Sequence, residues 1–180
     1  HKNYILVIST NAGLWRYIVG DTIQFTSLDP FRIKVSGRIK SFINAFGEEL
    51  IVDNADYAIA KACKLCHAVV TDYTAAPVYF SENQNGCHEW AIEFEKAPSD
   101  LFLFTELLDQ SLQEVNSDYE AKRYKDIALT KPIVRALPAH TFHTWLKNNG
   151  KLGGQHKIPR LSNHRVLLEE ILEGAKHLGN

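Results

Sequence analysis

Ala68-Val69-Val70-Thr71-Asp72-Tyr73-Thr74-Ala75-Ala76-Pro77-Val78-Tyr79 and, after a polar interval, Glu89-Trp90-Ala91-Ile92-Glu93-Phe94 are rich in β-branched and aromatic residues. Both stretches read as strands, because such side chains fit a pleated, half-buried surface. Glu82-Asn83-Gln84-Asn85-Gly86 between them has the composition of a hairpin-type loop. Upstream, Asp53 or Asn54 is placed to cap a helix running to Cys66, with Ala55, Ile59, Ala62 and Cys66 on one face. Downstream, Ser99 is the expected cap of a helix whose stripe is Leu101, Phe104, Leu108, Leu112 and Val115. A charged helix over residues 117–126, a strand at Ile133–Leu137, a helix at Thr141–Asn148 stopped by Gly150, and an amphipathic helix at Val166–His177 complete the series.

From Ile39 onward the order is strand, helix, strand, strand, helix, helix, strand, helix, helix. That is an α+β arrangement, a small mixed sheet covered by helices. Before it stand Tyr4–Ser9, expected to be a buried strand, a turn at Thr10-Asn11-Ala12-Gly13, a strand over 16–26, and Phe31–Val35, which alternates apolar and basic residues. Ser36-Gly37-Arg38 breaks that pattern before the apolar run Ile39–Phe46, as a hinge between domains would. The chain opens on His1-Lys2-Asn3 and runs at once into a strand, so it is expected to be a fragment of a longer protein.

The chain has 180 residues, 45% hydrophobic and 23% charged, with a formal net charge of -1. Acidic and basic residues are mixed throughout, which leaves no basic field for a nucleic acid. No apolar run approaches the roughly 20 residues of a membrane-spanning helix, so no membrane partner is expected. Three cysteines do not make a disulfide framework and point to a reducing, cytoplasmic setting.

Three segments carry potential chemistry. Tyr17-Ile18-Val19-Gly20-Asp21 is expected to be a strand ending in a Gly-Asp turn, where a carboxylate can accept two hydrogen bonds from a vicinal diol such as a ribose. Taken alone, a plain turn is the simpler reading. Ser36-Gly37-Arg38-Ile39-Lys40 places a rigid guanidinium fork at Arg38 and a flexible point charge at Lys40, although a basic hairpin turn would look the same. Gly153-Gly154-Gln155-His156-Lys157-Ile158-Pro159-Arg160 sets a lysine in a glycine-rich loop. There Lys157 can meet charge developing on a departing pyrophosphate, or can simply be solvated.

The order of these segments resembles the closing part of the adenylate-forming superfamily of acyl-CoA synthetases, luciferases and peptide-synthetase adenylation domains. More closely it resembles the auxin-responsive acyl-acid amido synthetases of plants and their bacterial relatives. Those enzymes carry Gly-Leu-Tyr-Arg-Tyr-x-x-Gly-Asp and Asn-Gln-Tyr-Lys-Val-Pro-Arg. This chain has Gly13-Leu14-Trp15-Arg16-Tyr17-Ile18-Val19-Gly20-Asp21 and Gly154-Gln155-His156-Lys157-Ile158-Pro159-Arg160. Gly86-Cys87-His88-Glu89-Trp90 is similar to the family's Gly-His strand, and Asn116-Ser117-x-Tyr119 with Arg123 to its Asn-Ser-x-Tyr helix start.

The resemblance implies that Asp21 holds the ATP ribose and that Lys40 lies at the hinge. It also implies that Lys157 reaches the α-phosphate and bridging oxygen, and that Arg38 orients the hinge or contacts the nucleotide. Residues 1–36 would be the last strands of a large adenylating domain, and 37–180 a small mobile domain that works against it. The full-length enzyme would use ATP and Mg2+ to join a carboxylic acid to an amine, with an amino acid expected as the amine. The isolated chain is expected neither to adenylate nor to bind ATP tightly. Gly37-Arg38-Ile39-Lys40 departs from the plant Arg-Arg-Asn at the hinge, which leaves the acceptor open. An acyl-CoA ligase and a non-catalytic protein-binding module are the rival readings.

Cys63-Lys64-Leu65-Cys66-His67 matches a haem-attachment pattern, but the chain contains no Met to serve as a second axial ligand. Adding Cys87-His88 makes a zinc site conceivable, yet Cys63 and Cys66 also fit a buried helix face, and no metal site is expected. His140 and His143 read as surface or capping groups, and Glu169, Glu170 and Glu173 as a solvated helix face.

Overall fold

The computed structural model describes residues 2–38, 41–79, 85–126, 128–153 and 157–178, with the side chains of residues 37 and 38 outside the description. The expected loop over 82–86 therefore lies outside the described residues except for Asn85 and Gly86. Three sheets and five α-helices form in chain order. Strands β1 (Tyr4–Ile8), β2 (Tyr17–Leu28) and β3 (Phe31–Arg38) make an antiparallel meander. The short strands β4 (Phe42–Ile43) and β5 (Leu50–Ile51) pair with each other. Strands β6 (Val69–Val78), β7 (Cys87–Lys96) and β8 (Ile133–Leu137) form a mixed sheet, antiparallel between β6 and β7 and parallel between β7 and β8.

Helices cover both faces of that mixed sheet. Trp90 and Ile92 of β7 point into a core with Ala55 and Ile59 of α1 (Val52–Cys66) and Phe104 and Leu108 of α2 (Leu101–Val115). Ala91, between them in sequence, points to the opposite core with Phe142 of α4 (Thr141–Asn148) and Leu168 and Ile171 of α5 (Val166–Leu178). The alternation is the two-residue period of a strand, and β7 is the central strand with both faces covered, Glu89 and Glu93 lying on the same face as Ala91. The helix α3 (Ser117–Arg123) follows α2 directly and ends in a single 3-10 turn, Tyr124–Asp126, so the expected helix over 117–126 is shorter and kinked.

The helix starts differ from expectation in an instructive way. Asp100, not Ser99, caps α2, its carboxylate accepting from the N–H groups of Phe102 (2.8 Å) and Leu103 (3.1 Å). The α1 helix begins at Val52, and Asn54 works from inside its first turn by accepting from the Ile51 N–H at 3.3 Å. Glu93 reaches across from β7 to hold the start of α4, accepting from the N–H groups of His140 (2.8 Å) and Phe142 (3.0 Å). Carboxylates at helix N-termini satisfy orphan donors and complement the helix dipole.

Strand β1 is not buried as expected: Ile5 is 56% exposed, and Ile18 of β2 and Val35 of β3 are exposed with it. The reason is that helices pack on the mixed sheet and leave these apolar side chains of the meander uncovered. β3 also runs through Ser36 and Gly37 to Arg38, so the expected break there is a bulge within a strand.

Gly86 is required where it stands. A Cβ there would lie 2.3 Å from the Phe46 ring and 2.9 Å from the Val78 carbonyl. Overpacking of this kind typically costs about 1–3 kcal/mol. Gly86→Ala should lower the denaturant midpoint accordingly, and an unchanged midpoint would show that the Phe46 ring moves aside freely.

Candidate functional site

Asp21 does not end a strand. It lies within β2, where the pairing with β1 jumps from Val7 opposite Ile18 to Ile5 opposite Thr22. Two residues of β1 thus span four of β2, and Gly20 takes up the slack at φ +92, a conformation that suits glycine. On the other side Asp21 is the register partner of Arg38, and Ser36 is bulged out between Gly37 and Val35. The double irregularity re-aims the half-buried Asp21 relative to a regular strand. Bulges often serve that end at functional sites. Lys40 lies outside the described residues, as does the side chain of Arg38.

Beside this bulge is a cleft of about 370 Å³, lined by Thr22 and Ser36 of the meander and by Ser41, Phe42, Asn44 and Glu49 beyond the expected hinge. The Ser36 hydroxyl donates to the Thr22 hydroxyl at 3.2 Å across its floor. Ile5, Phe42, Ile51 and Val52 make most of the lining apolar, with the Thr22, Ser36 and Ser41 hydroxyls, the Asn44 amide and the Glu49 carboxylate set among them. Such groups can orient a polar ligand by hydrogen bonds without demanding a charge.

Lys157 is exposed and sits where the chain joins the mixed sheet. Ile158, next to it, is buried in the core under α4 and α5. The Thr74 hydroxyl donates to the Pro159 carbonyl (2.7 Å) and the Ala75 N–H to the Arg160 carbonyl (2.8 Å). The Ser162 N–H returns to the Ala75 carbonyl (3.1 Å), so Leu161 bridges in parallel to the edge of β6. Residues 154–156 lie outside the described residues. Asp21 and Arg38 are thus brought together by register, whereas Lys157 stands at the edge of a different sheet.

The sequence reading missed a buried polar network. Glu48 and His88 are paired at 2.8 Å with both side chains wholly removed from solvent. Glu48 also accepts from the Phe46 N–H at 2.7 Å. The His88 ring lies 5.6 Å from the Tyr119 ring, and the Tyr119 hydroxyl donates to Asp109 at 2.7 Å. Arg123 grips the same Asp109 carboxylate through Nε (2.9 Å) and Nη2 (2.8 Å) and donates to the Leu129 carbonyl. Asn116 joins the two ends, donating to the Glu48 carbonyl (2.9 Å) while its Oδ1 caps α3 at the Tyr119 N–H. His88, Asn116, Tyr119 and Arg123 all stand in stretches of the family resemblance, which gives them no role.

The remaining candidates resolve into structural roles. Cys63 and Cys66 pack half-buried against the core, Cys87 is buried in β7, and burial pushes all three thiols up. Among the described residues no group of three His, Cys, Asp or Glu side chains could hold a metal ion. His67 closes α1 in the left-handed conformation and His140 begins α4. Glu169 pairs with Arg165 and Glu173 with Lys176, while Glu170 accepts from the Trp145 indole, so that helix face is less free than expected. No helix among the described residues is long and apolar enough to cross a membrane.

An α+β domain with helices on both faces of a mixed sheet, preceded by a strand meander with a bulged Gly-Asp, defines the class. The model of the GH3 family C-terminal domain matches residues 40–166, and that of the GH3 family central domain matches residues 1–38. The chain belongs to the GH3 family. Among solved structures, a GH3.15 acyl acid amido synthetase superposes over 97% of this chain with a TM-score of 0.75 at 21% identity. The AtGH3.15 acyl acid amido synthetase in complex with 2,4-DB does so over 96% with a TM-score of 0.71 at 19% identity. The chain spans 32% of each of those chains, and at such identity the likeness is one of fold. No individually curated protein sequence matches.

Burial alone would push the Glu48 carboxyl up, but the hydrogen bond and charge of His88, with the Phe46 N–H, outweigh it and hold the carboxyl below its ordinary value. Such a group adds stability that is full above the ordinary carboxylate range and is lost as pH falls through the lowered value. Glu48→Gln should therefore cost about 1–3 kcal/mol at neutral pH. The gap from the native protein should close as pH drops below the carboxylate range. A gap independent of pH, read by denaturant unfolding, would contradict this assignment.

Proposed function

We propose that this chain is the C-terminal part of an ATP-dependent acyl-acid amido synthetase acting in the cytoplasm, with residues 1–36 closing a large adenylating domain and 37–180 forming a small mobile one. The observation that carries the reading is the combination of a bulged Gly20-Asp21 and an anchored Lys157 segment in a fold shared with an acyl acid amido synthetase. The uncovered apolar residues of β1–β3 support it as well, since such a surface fits against further protein.

In this reading the two half-reactions share one acyl-adenylate. A carboxylate oxygen of the acid bonds to the α-phosphorus of ATP. The bond from that phosphorus to the bridging oxygen breaks, and pyrophosphate leaves with the electron pair. Lys157 meets the charge developing on those oxygens. Asp21 holds the ribose by accepting from its two hydroxyls, with Arg38 near the nucleotide and Lys40 at the hinge. An amine, with an amino acid as the favoured acceptor, then attacks the acyl carbon. AMP departs, and the amine gives up a proton as the amide forms. Mg2+ would accompany ATP, held chiefly by the phosphates and water, as Mg2+ usually is; among the described residues no group of three His, Cys, Asp or Glu side chains could hold it. The carboxylic acid class is supported by the neighbour solved with 2,4-DB.

Carboxylate-dependent exchange of pyrophosphate into ATP, run on the longer protein with a panel of aromatic and aliphatic acids, tests the first half-reaction. Lys157→Ala should lower exchange about 100- to 1000-fold, the scale of losing one preorganised transition-state donor. Exchange that persists in the variant would remove Lys157 from the chemistry. No exchange with any acid, from folded protein, would favour the protein-binding module.

A further inference from the structure

We infer that residues 158–163 form a strap that presents Lys157, and that Asp56 and Asn163 are positioning residues acting through it. This inference rests on the reading of Lys157 given above. The strap is laced to three elements. Its backbone pairs with the edge of β6 at Ala75. Arg160 reaches both carboxylate oxygens of Asp56 on α1, at 2.6 and 2.5 Å, and lies 5.3 Å above the Tyr73 ring, whose hydroxyl donates to the same carboxylate at 2.6 Å. Asn163 accepts from the Asn44 N–H (2.8 Å) and donates to the Phe42 carbonyl (3.2 Å), while the Tyr79 hydroxyl donates to the Asn163 carbonyl (2.8 Å).

The consequence is mechanical. Phe42 opens β4, the first strand after the proposed hinge, so Asn163 ties the lysine's segment to the element that a hinge rotation moves first. Arg160 stands three residues after Lys157, and Pro159 between them limits backbone freedom. A clamp on Arg160 thus limits where the Lys157 backbone can stand, and misplacement of about 1 Å can cost two orders of magnitude in rate. The Arg160–Asp56 pair is itself over 40% exposed on both sides, so it adds little to global stability.

Asp56→Asn keeps an acceptor for Tyr73 but removes the charge that holds Arg160, and Asn163→Ala releases β4. In the longer protein, both should lower pyrophosphate exchange about tenfold. Both should leave single-turnover aminolysis of a supplied acyl-adenylate, and the melting temperature, within twofold and within a degree or so of native. Asp56→Glu should recover most of the exchange, and hydrogen exchange in residues 158–163 should quicken in the two weakened variants. Unchanged exchange activity despite a loosened strap would overturn the proposal. So would a parallel loss of both half-reactions with a lowered melting temperature, which marks a merely structural role. Exchange that survives Lys157→Ala overturns the reading of the lysine and takes the proposal with it, a failure that the control variant reports, not the Asp56 variants.

Discussion

Glu48 and His88 meet where neither side chain reaches solvent, and each is the other's charged or polar partner there. A carboxylate stripped of solvent is costly unless it is paired and hydrogen-bonded, and removing one partner of such a pair is strongly destabilising. Here the pairing fastens the loop after β4 to β7, the central strand of the mixed sheet. Asn116 fastens that loop's backbone to the junction of α2 and α3, and Asp109 with Tyr119 and Arg123 locks those two helices together. The network therefore joins the segment following the proposed hinge to the body of the domain. Apolar packing around Trp90 and Phe104 supplies the bulk of the burial, and the polar network makes the arrangement specific.

The candidate chemical groups hang on this frame at its margins. Asp21 is displayed by a strand irregularity that Gly20 makes possible, and Lys157 by a segment pinned at the edge of β6. If the domain turns at residues near 37–40, as proposed, it turns as a unit, because the segments flanking that point on the C-terminal side are bonded to the sheet, to α1 and to the strap.

Much of the architecture was legible before the structure. The strands β6 and β7 follow from their β-branched and aromatic content, and the helices α1, α2 and α5 from apolar periodicity, since each buries a face in one of the two cores. What failed were features set by distant partners. Tyr4–Ile8 looks like a buried strand because its apolar content says nothing of which helices will cover it. Gly20-Asp21 looks like a turn because a bulge and a turn both recruit glycine, and only the pairing register separates them. Ser99 reads as the cap on paper, but it is the Asp100 carboxylate that reaches the first free N–H groups of α2. The Glu48–His88 pair spans forty positions and leaves no local pattern at all. Of the candidate site, Asp21, Arg38, Lys40 and Lys157 are named by the family resemblance, while the strap proposed to hold Lys157 could be seen only in three dimensions.

The central claim is that Asp21 and Lys157 serve one nucleotide. The most direct measurement is a crystal structure of the longer protein with a non-hydrolysable acyl-adenylate analogue. The account predicts the ribose hydroxyls on the Asp21 carboxylate and, in the adenylating orientation of the domain, the Lys157 ammonium within hydrogen-bonding distance of the group replacing the α-phosphate. An analogue bound with its ribose away from Asp21, or one that Lys157 approaches in no orientation of the domain, would contradict it.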